Sequence, residues 1–218
     1  MNRDDNVAEN LTLTDALLAW RYGNTACYIS IAVLFLIGIA AVFITHDMSR
    51  ARWAFVGLAI ALLPVAAEWL TGIRFPWPMN LLITLSLVLH LAGGVFGFYF
   101  SLYPIYDKIA HLVTSMAVAF LIFMVILVAG GLFEKHPGRA WIAWGIFLIA
   151  MVLGLFWEYA ELFIDLSSGT TYFVNRYDSF FDVVFNTLGA AYIALTVNSY
   201  LKTESFEHCY HRFIGWER

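Results

Sequence analysis

Six apolar runs, each close to or beyond the roughly 20 residues that cross a bilayer, leave this chain little choice of fold. They cover residues of about 26–45, 53–71, 80–103, 107–132, 141–165 and 178–201. The breaks between them carry charge and turn residues. His46 to Arg52 is charged, Gly72 to Pro78 holds Arg74, Pro76 and Pro78, and Glu134 to Arg139 holds Pro137 and Gly138. The expected fold is all-α, a polytopic transmembrane bundle of six spans and one domain, with a kink at Pro64 in the second. Trp53, Trp69, Trp141, Trp144 and Trp157 fall near span ends, where an aromatic belt belongs. With 61% hydrophobic and 13% charged residues, the composition agrees, and no basic patch points to nucleic acid.

Outside the spans the chain is short. Residues 1–25 are polar, and Leu13, Leu17 and Trp20 can lay a short helix in the interface. Residues 202–218 form a tail. The acidic start, with Asp4 and Asp5, does not resemble a signal peptide, so the first span is read as retained. Two cysteines, Cys27 and Cys209, exclude a disulfide framework. An even span count puts both termini on one side with Arg3, Arg21, Arg74, Lys135, Arg139, Lys202, Arg212 and Arg218, against Arg50, Arg52, Lys108 and Arg176 on the other. The positive-inside rule then makes the termini cytoplasmic in a multi-pass cell-membrane protein.

Ionisable residues gather at one end of the last three spans. Asp107 and His111 stand at i,i+4, Glu158, Glu161 and Asp165 at i,i+3,i+7, and Asp178, Asp182 and Asn186 at i,i+4,i+8, so each set lies on one helical stripe. At about 1.5 Å per residue, His111 and Asp182 lie roughly 6 Å inside Asp107 and Asp178. Glu158 and Glu161 sit one to two turns inside the end of their span, so all meet at the non-cytoplasmic face. A charge in hydrocarbon costs about 3 kcal/mol or more, so such residues face a cavity, a partner or a ligand. This many carboxylates must be partly protonated or compensated by cations, and Lys108 and Arg176 are too few for the whole set. A divalent metal ion is the natural third answer, and oxygen ligands with one imidazole suit Mg²⁺, Mn²⁺, Ca²⁺, Zn²⁺ or iron. The candidate ligands are Asp107, His111, Glu158, Glu161, Asp178 and Asp182, with Asp107, His111, Glu158, Glu161 and Asp182 as the catalytic candidates. Arg176, Asn186 and Asp165 support them from behind. The alternative is a polar network that only holds the last three helices together.

Other polar residues have simpler readings. Glu68 is expected to pair with Arg74 at the far interface. His90, about 20 Å below the mouth by helix rise, reads as a hydrogen-bonded core histidine. Gly93, Gly94 and Gly97 read as a close helix–helix contact. His208, Cys209 and His211 have a metal-like spacing but no second ligand pair. No nucleophile elbow is present, which disfavours serine hydrolysis.

The stretch Arg176-x(5)-Asp182-x(3)-Asn186-x(2)-Gly189 resembles the closing motif of VanZ-like membrane proteins, and Asp107-Lys108-x-x-His111 resembles their D-K-x-x-H. Glu161 stands where that family carries Gln, and E-x-x-E followed by D-x-x-x-D is similar to the YjdF-like inner-membrane proteins. The resemblance spans roughly residues 68–195 and implies the fold and the site residues. VanZ-like proteins are associated with teicoplanin resistance without an agreed reaction, so no substrate follows. Three functions stay open. One is a metal-dependent hydrolase or transferase acting on a lipid-linked or envelope substrate. The others are a proton- or cation-coupled transporter or channel, and a non-catalytic scaffold.

Overall fold

The computed structural model describes residues 25–43, 46, 48–71, 75–168 and 176–214. Within them the chain is helical: α1 (Thr25–Phe43), α2 (Met48–Thr71), α3 (Trp77–Phe96), α4 (Phe98–Ser101), α5 (Ile105–Leu132), α6 (Arg139–Ser168), α7 (Arg176–Thr203) and α8 (Phe206–Ile214). Six of these, α1, α2, α3, α5, α6 and α7, are long and apolar enough to cross a membrane. The protein is therefore an all-α multi-pass membrane protein. The interfacial helix expected before residue 25 lies outside the described residues. Within the region read as a short C-terminal tail, α8 packs against α5.

The third span is shorter than its apolar run implied. It was expected over 80–103, and it ends at Phe96 because Gly97 takes the left-handed conformation, with φ of 74°. Pro76 precedes its first residue and Pro78 lies in the first turn, where a missing amide hydrogen costs nothing. After Gly97, α4 folds its tyrosine back over α3. A side-chain carbon on Gly93 would stand 2.5 Å from Tyr99 Cε2 and 2.9 Å from Tyr106 Cε1, so this glycine is a flat seat for two rings. The close helix contact expected of three glycines is thus made by Gly93, against α4 and α5, while Gly94 and Gly97 face open space.

Helix α5 is the central element, packed against α3, α6, α7 and α8. Its core with α3, α6 and α7 includes Met79, Phe123, Leu127, Ile142, Ile146, Ala190 and Ile193. In a bilayer, where lipid is as apolar as leucine, helices associate through close packing of small residues and polar contacts. Gly189 shows this most sharply: an added Cβ would lie 2.5 Å from the Leu112 carbonyl oxygen and 3.0 Å from Ser115 Cβ. Beside it Ser115 Oγ donates to the Asn186 carbonyl at 2.5 Å, tying α5 to α7. A smaller cluster of Ile37, Ala41, Ala51, Ala92 and Val95 joins α1 and α2 to α3. Large apolar side chains cover the outside, and Trp53, Trp69 and Trp141 are exposed near helix ends, as a lipid-facing surface requires.

Candidate functional site

The starts of α5 and α7 and the end of α6 meet at one face of the bundle. Each starts or ends there because charged residues interrupt the apolar runs: Asp107 in the first turn of α5, Asp178 in the first turn of α7, and Glu158, Glu161 and Asp165 in the last turns of α6. The tight α5–α7 approach at Gly189 lies below and holds the two acidic stripes together.

Lys108 stands at the centre of the aspartates. Its Nζ donates to Asp178 Oδ1 and Asp182 Oδ1, each at 2.6 Å, and to Asp107 Oδ2 at 3.0 Å. All four side chains are buried or nearly so. Tyr103 donates to Asp178 Oδ1 at 3.2 Å, closing that side. This role of Lys108 was not foreseen: the residue was counted only as a nearby charge. Its long apolar stem lets an ammonium that starts beside Asp107 reach across to α7, a reach that one-residue spacing along the helix conceals. A lysine within the first turn of an apolar span, facing two stripes of aspartate, was the available signal.

His111 separates this ion-paired half from a second half. Its Nε2 lies 3.5 Å from Asp182 Oδ1 and 3.6 Å from Asp107 Oδ1, and its Nδ1 lies 3.8 Å from Glu158 Oε1. Glu158 is 7% exposed, and neither carboxylate oxygen has a hydrogen-bond partner in good geometry, although Ser179 lies beside it. Glu161, half-buried, accepts a hydrogen bond from Trp157 Nε1 at 2.7 Å. Two groups of three have ligand atoms within 4.8 Å of one another: Asp107, His111 and Asp182, and His111, Glu158 and Glu161. By this geometry either group could hold a metal ion. Asp178, expected among the ligands, lies in neither group and is engaged by Lys108 and Tyr103.

The supporting residues are placed as follows. Asn186 is buried, with its amide against Gly154 of α6, so it bridges three helices. Asp165 is half-buried on α6. Arg176 begins α7, and its side chain lies outside the described residues. His90 is hydrogen-bonded, as expected of a core histidine, through Nδ1 to Tyr99 Oη at 2.5 Å and Nε2 to Thr114 Oγ1 at 2.9 Å. Thr114 continues to Ser86 Oγ at 2.6 Å. His90 is less deep than the run length implied. With α3 ending at Phe96, it lies about 9 Å from that end by helix rise.

At the opposite face Glu68 Oε1 accepts from the Phe75 amide at 2.7 Å, while its expected partner Arg74 lies outside the described residues. In α8, His208 lies 3.5 Å from Glu204, Cys209 is buried and His211 meets Tyr210 edge to face. Among the described residues these three form no metal-capable group.

Comparison with known proteins places residues 26–203 in the family described as predicted membrane protein DUF2238. The chain is also similar to an uncharacterised protein of Thermotoga maritima, at 26% identity over 136 residues, which are 62% of this chain and 69% of that protein. No solved structure matches. With the family match covering nearly every described helix, the chain belongs to the DUF2238 family of predicted membrane proteins.

Proposed function

We propose that this protein is a metal-dependent membrane enzyme, a hydrolase or transferase acting on a lipid-linked or envelope substrate, with its site at the non-cytoplasmic face and its termini in the cytoplasm. One observation carries the metal: Glu158 is buried with both oxygens unpartnered, beside an imidazole nitrogen 3.8 Å away. That separation is too long for a hydrogen bond and within the span of two ligands on one ion, whose bonds are about 2.0–2.2 Å each. A bound divalent ion would activate water or polarise a phosphoryl or carbonyl oxygen. The chain's own groups then have distinct tasks. Asp107 and Asp182 face His111 Nε2 and set the ring, as carboxylates do behind a ligating histidine. Glu158 and Glu161 supply the negative charge a divalent ion needs, and one of them is placed to take a proton from water. A position near the ends of three spans supports a site close to the headgroups, and with it a lipid-linked substrate. The motif likeness to VanZ-like and YjdF-like proteins supports an envelope role in the same way, without adding a reaction.

Elemental analysis of protein purified in detergent tests this, with and without His111→Ala. Metal in the parent and its loss in the variant support the reading. A parent that holds no metal and gains no thermal stability from added divalent cations removes it.

A second reading, coupled proton or cation transport, is favoured by the Ser86–Thr114–His90–Tyr99 chain, which continues polar groups below the site. Ion flux in reconstituted vesicles, abolished by His90→Ala, would put transport first. Absence of flux under proton and sodium gradients would end it.

A further inference from the structure

Four oxygens surround the Lys108 ammonium: one each from Asp107, Asp178 and Asp182 at 2.6–3.0 Å, and the Asp178 carbonyl at 3.4 Å. Three carboxylates from two helices aimed at one point are the donor set of a hard cation, and here an ammonium fills it. An ammonium has three hydrogens, and the three carboxylates take them all. Lys108 therefore has none left for a substrate anion.

Across the His111 ring the situation inverts. Glu158 is buried without a hydrogen bond in good geometry, Glu161 accepts one from an indole, and among the described residues no lysine or arginine pairs with either. A divalent ion among the aspartates would have to share Asp107 and Asp182 with the ammonium that both already hold, and like charges would meet in a buried site. On the glutamate side two carboxylates balance a divalent ion, and among the described residues no lysine or arginine opposes it. The ring itself agrees. With its hydrogen on Nε2, the nitrogen nearer Asp107 and Asp182, the ring directs its Nδ1 lone pair at Glu158.

We propose that the cluster is a two-cation site in which Lys108 permanently occupies one seat. A single divalent ion takes the other, held by His111 Nδ1, Glu158 and Glu161. The proposal rests on the metal-binding reading above and narrows it: Asp107, Asp178 and Asp182 hold Lys108, Asp107 and Asp182 also orient His111, and none of the three ligates. It follows that removing the ammonium while keeping its stem converts the lysine seat into a second metal seat.

Equilibrium dialysis of Mn²⁺ in detergent tests this on the parent, Lys108→Met, Glu161→Gln and Asp178→Asn, with folding checked by circular dichroism. The parent should bind one Mn²⁺ per chain and Lys108→Met two. Glu161→Gln should weaken binding by about tenfold or more, whereas Asp178→Asn should keep one ion within about threefold of the parent affinity. Loss of the ion in Asp178→Asn with retention in Glu161→Gln would overturn the assignment and leave a metal site on the lysine side. A folded Lys108→Met that still binds one ion would overturn the two-seat claim. If Lys108→Met does not fold, the Glu161→Gln and Asp178→Asn pair decides. A parent that binds neither Mn²⁺, Mg²⁺ nor Zn²⁺ would instead sink the metal reading, and this proposal with it.

Discussion

Replacing Lys108 by methionine keeps most of the side-chain volume and removes one charge from among three buried or half-buried carboxylates. At an effective dielectric of about 20, each contact near 3 Å contributes roughly 5 kcal/mol of gross attraction, or about 15 kcal/mol for the three. Most of that is offset by the desolvation of four ionised groups. The net cost of leaving partners unpaired in a buried site is about 3–5 kcal/mol. For a chain of 218 residues, each kcal/mol moves the melting temperature by about 2–4 °C, so Lys108→Met should melt roughly 6–20 °C below the parent. The assay is thermal unfolding in detergent with divalent ions chelated. Adding Asp178→Asn and Asp182→Asn to Lys108→Met should recover at least half of the loss, because the stranded charges go with the lysine. A Lys108→Met protein that melts within 2 °C of the parent would refute the claim that this ammonium neutralises the aspartates.

Glu158→Gln removes an unpartnered buried charge and should leave the metal-free protein as stable as the parent or more so, while its metal affinity falls; a drop of several degrees in chelator would count against this. Asp182→Asn should behave oppositely and lower the melting temperature, since it breaks the 2.6 Å pair with Lys108; an unchanged melt would contradict that. Gly189→Ala should cost about 1–3 kcal/mol by forcing a Cβ against the Leu112 carbonyl, whereas Gly94→Ala, facing open space, should be close to neutral in the same melts. Cysteines placed at Ser49 and Gly138 should label from opposite sides of intact vesicles, Gly138 from the cytoplasm; labelling of both from one side would break the six-span topology.

The spans were legible because run length in hydrocarbon is decided by thickness alone, and each of the six was found within a few residues of its expected limits, except the third. There the apolar run outlasted the helix: Phe98, Tyr99 and Phe100 are as apolar as a span, and only the positive φ of Gly97 ends α3. The stripes of Asp107 and His111, of Glu158 and Glu161, and of Asp178 and Asp182 were legible from helical period and depth. Their division into two halves was not. That division depends on where one flexible lysine stem reaches and on which nitrogen of a ring faces which helix, and neither is encoded in spacing. The use of Gly93 as a seat for Tyr99 was hidden for the same reason, since it needed the fold-back of α4.

The claim on which the rest depends is that a divalent ion belongs between His111 and the α6 glutamates. Direct measurement of bound metal in the purified parent, His111→Ala and Glu158→Gln proteins, after exchange into buffer with a trace-metal mixture, addresses it. The expected result is one ion per chain in the parent and a loss of about tenfold or more in affinity in both variants. A parent that emerges metal-free, or variants that retain the ion at parent affinity, would contradict it.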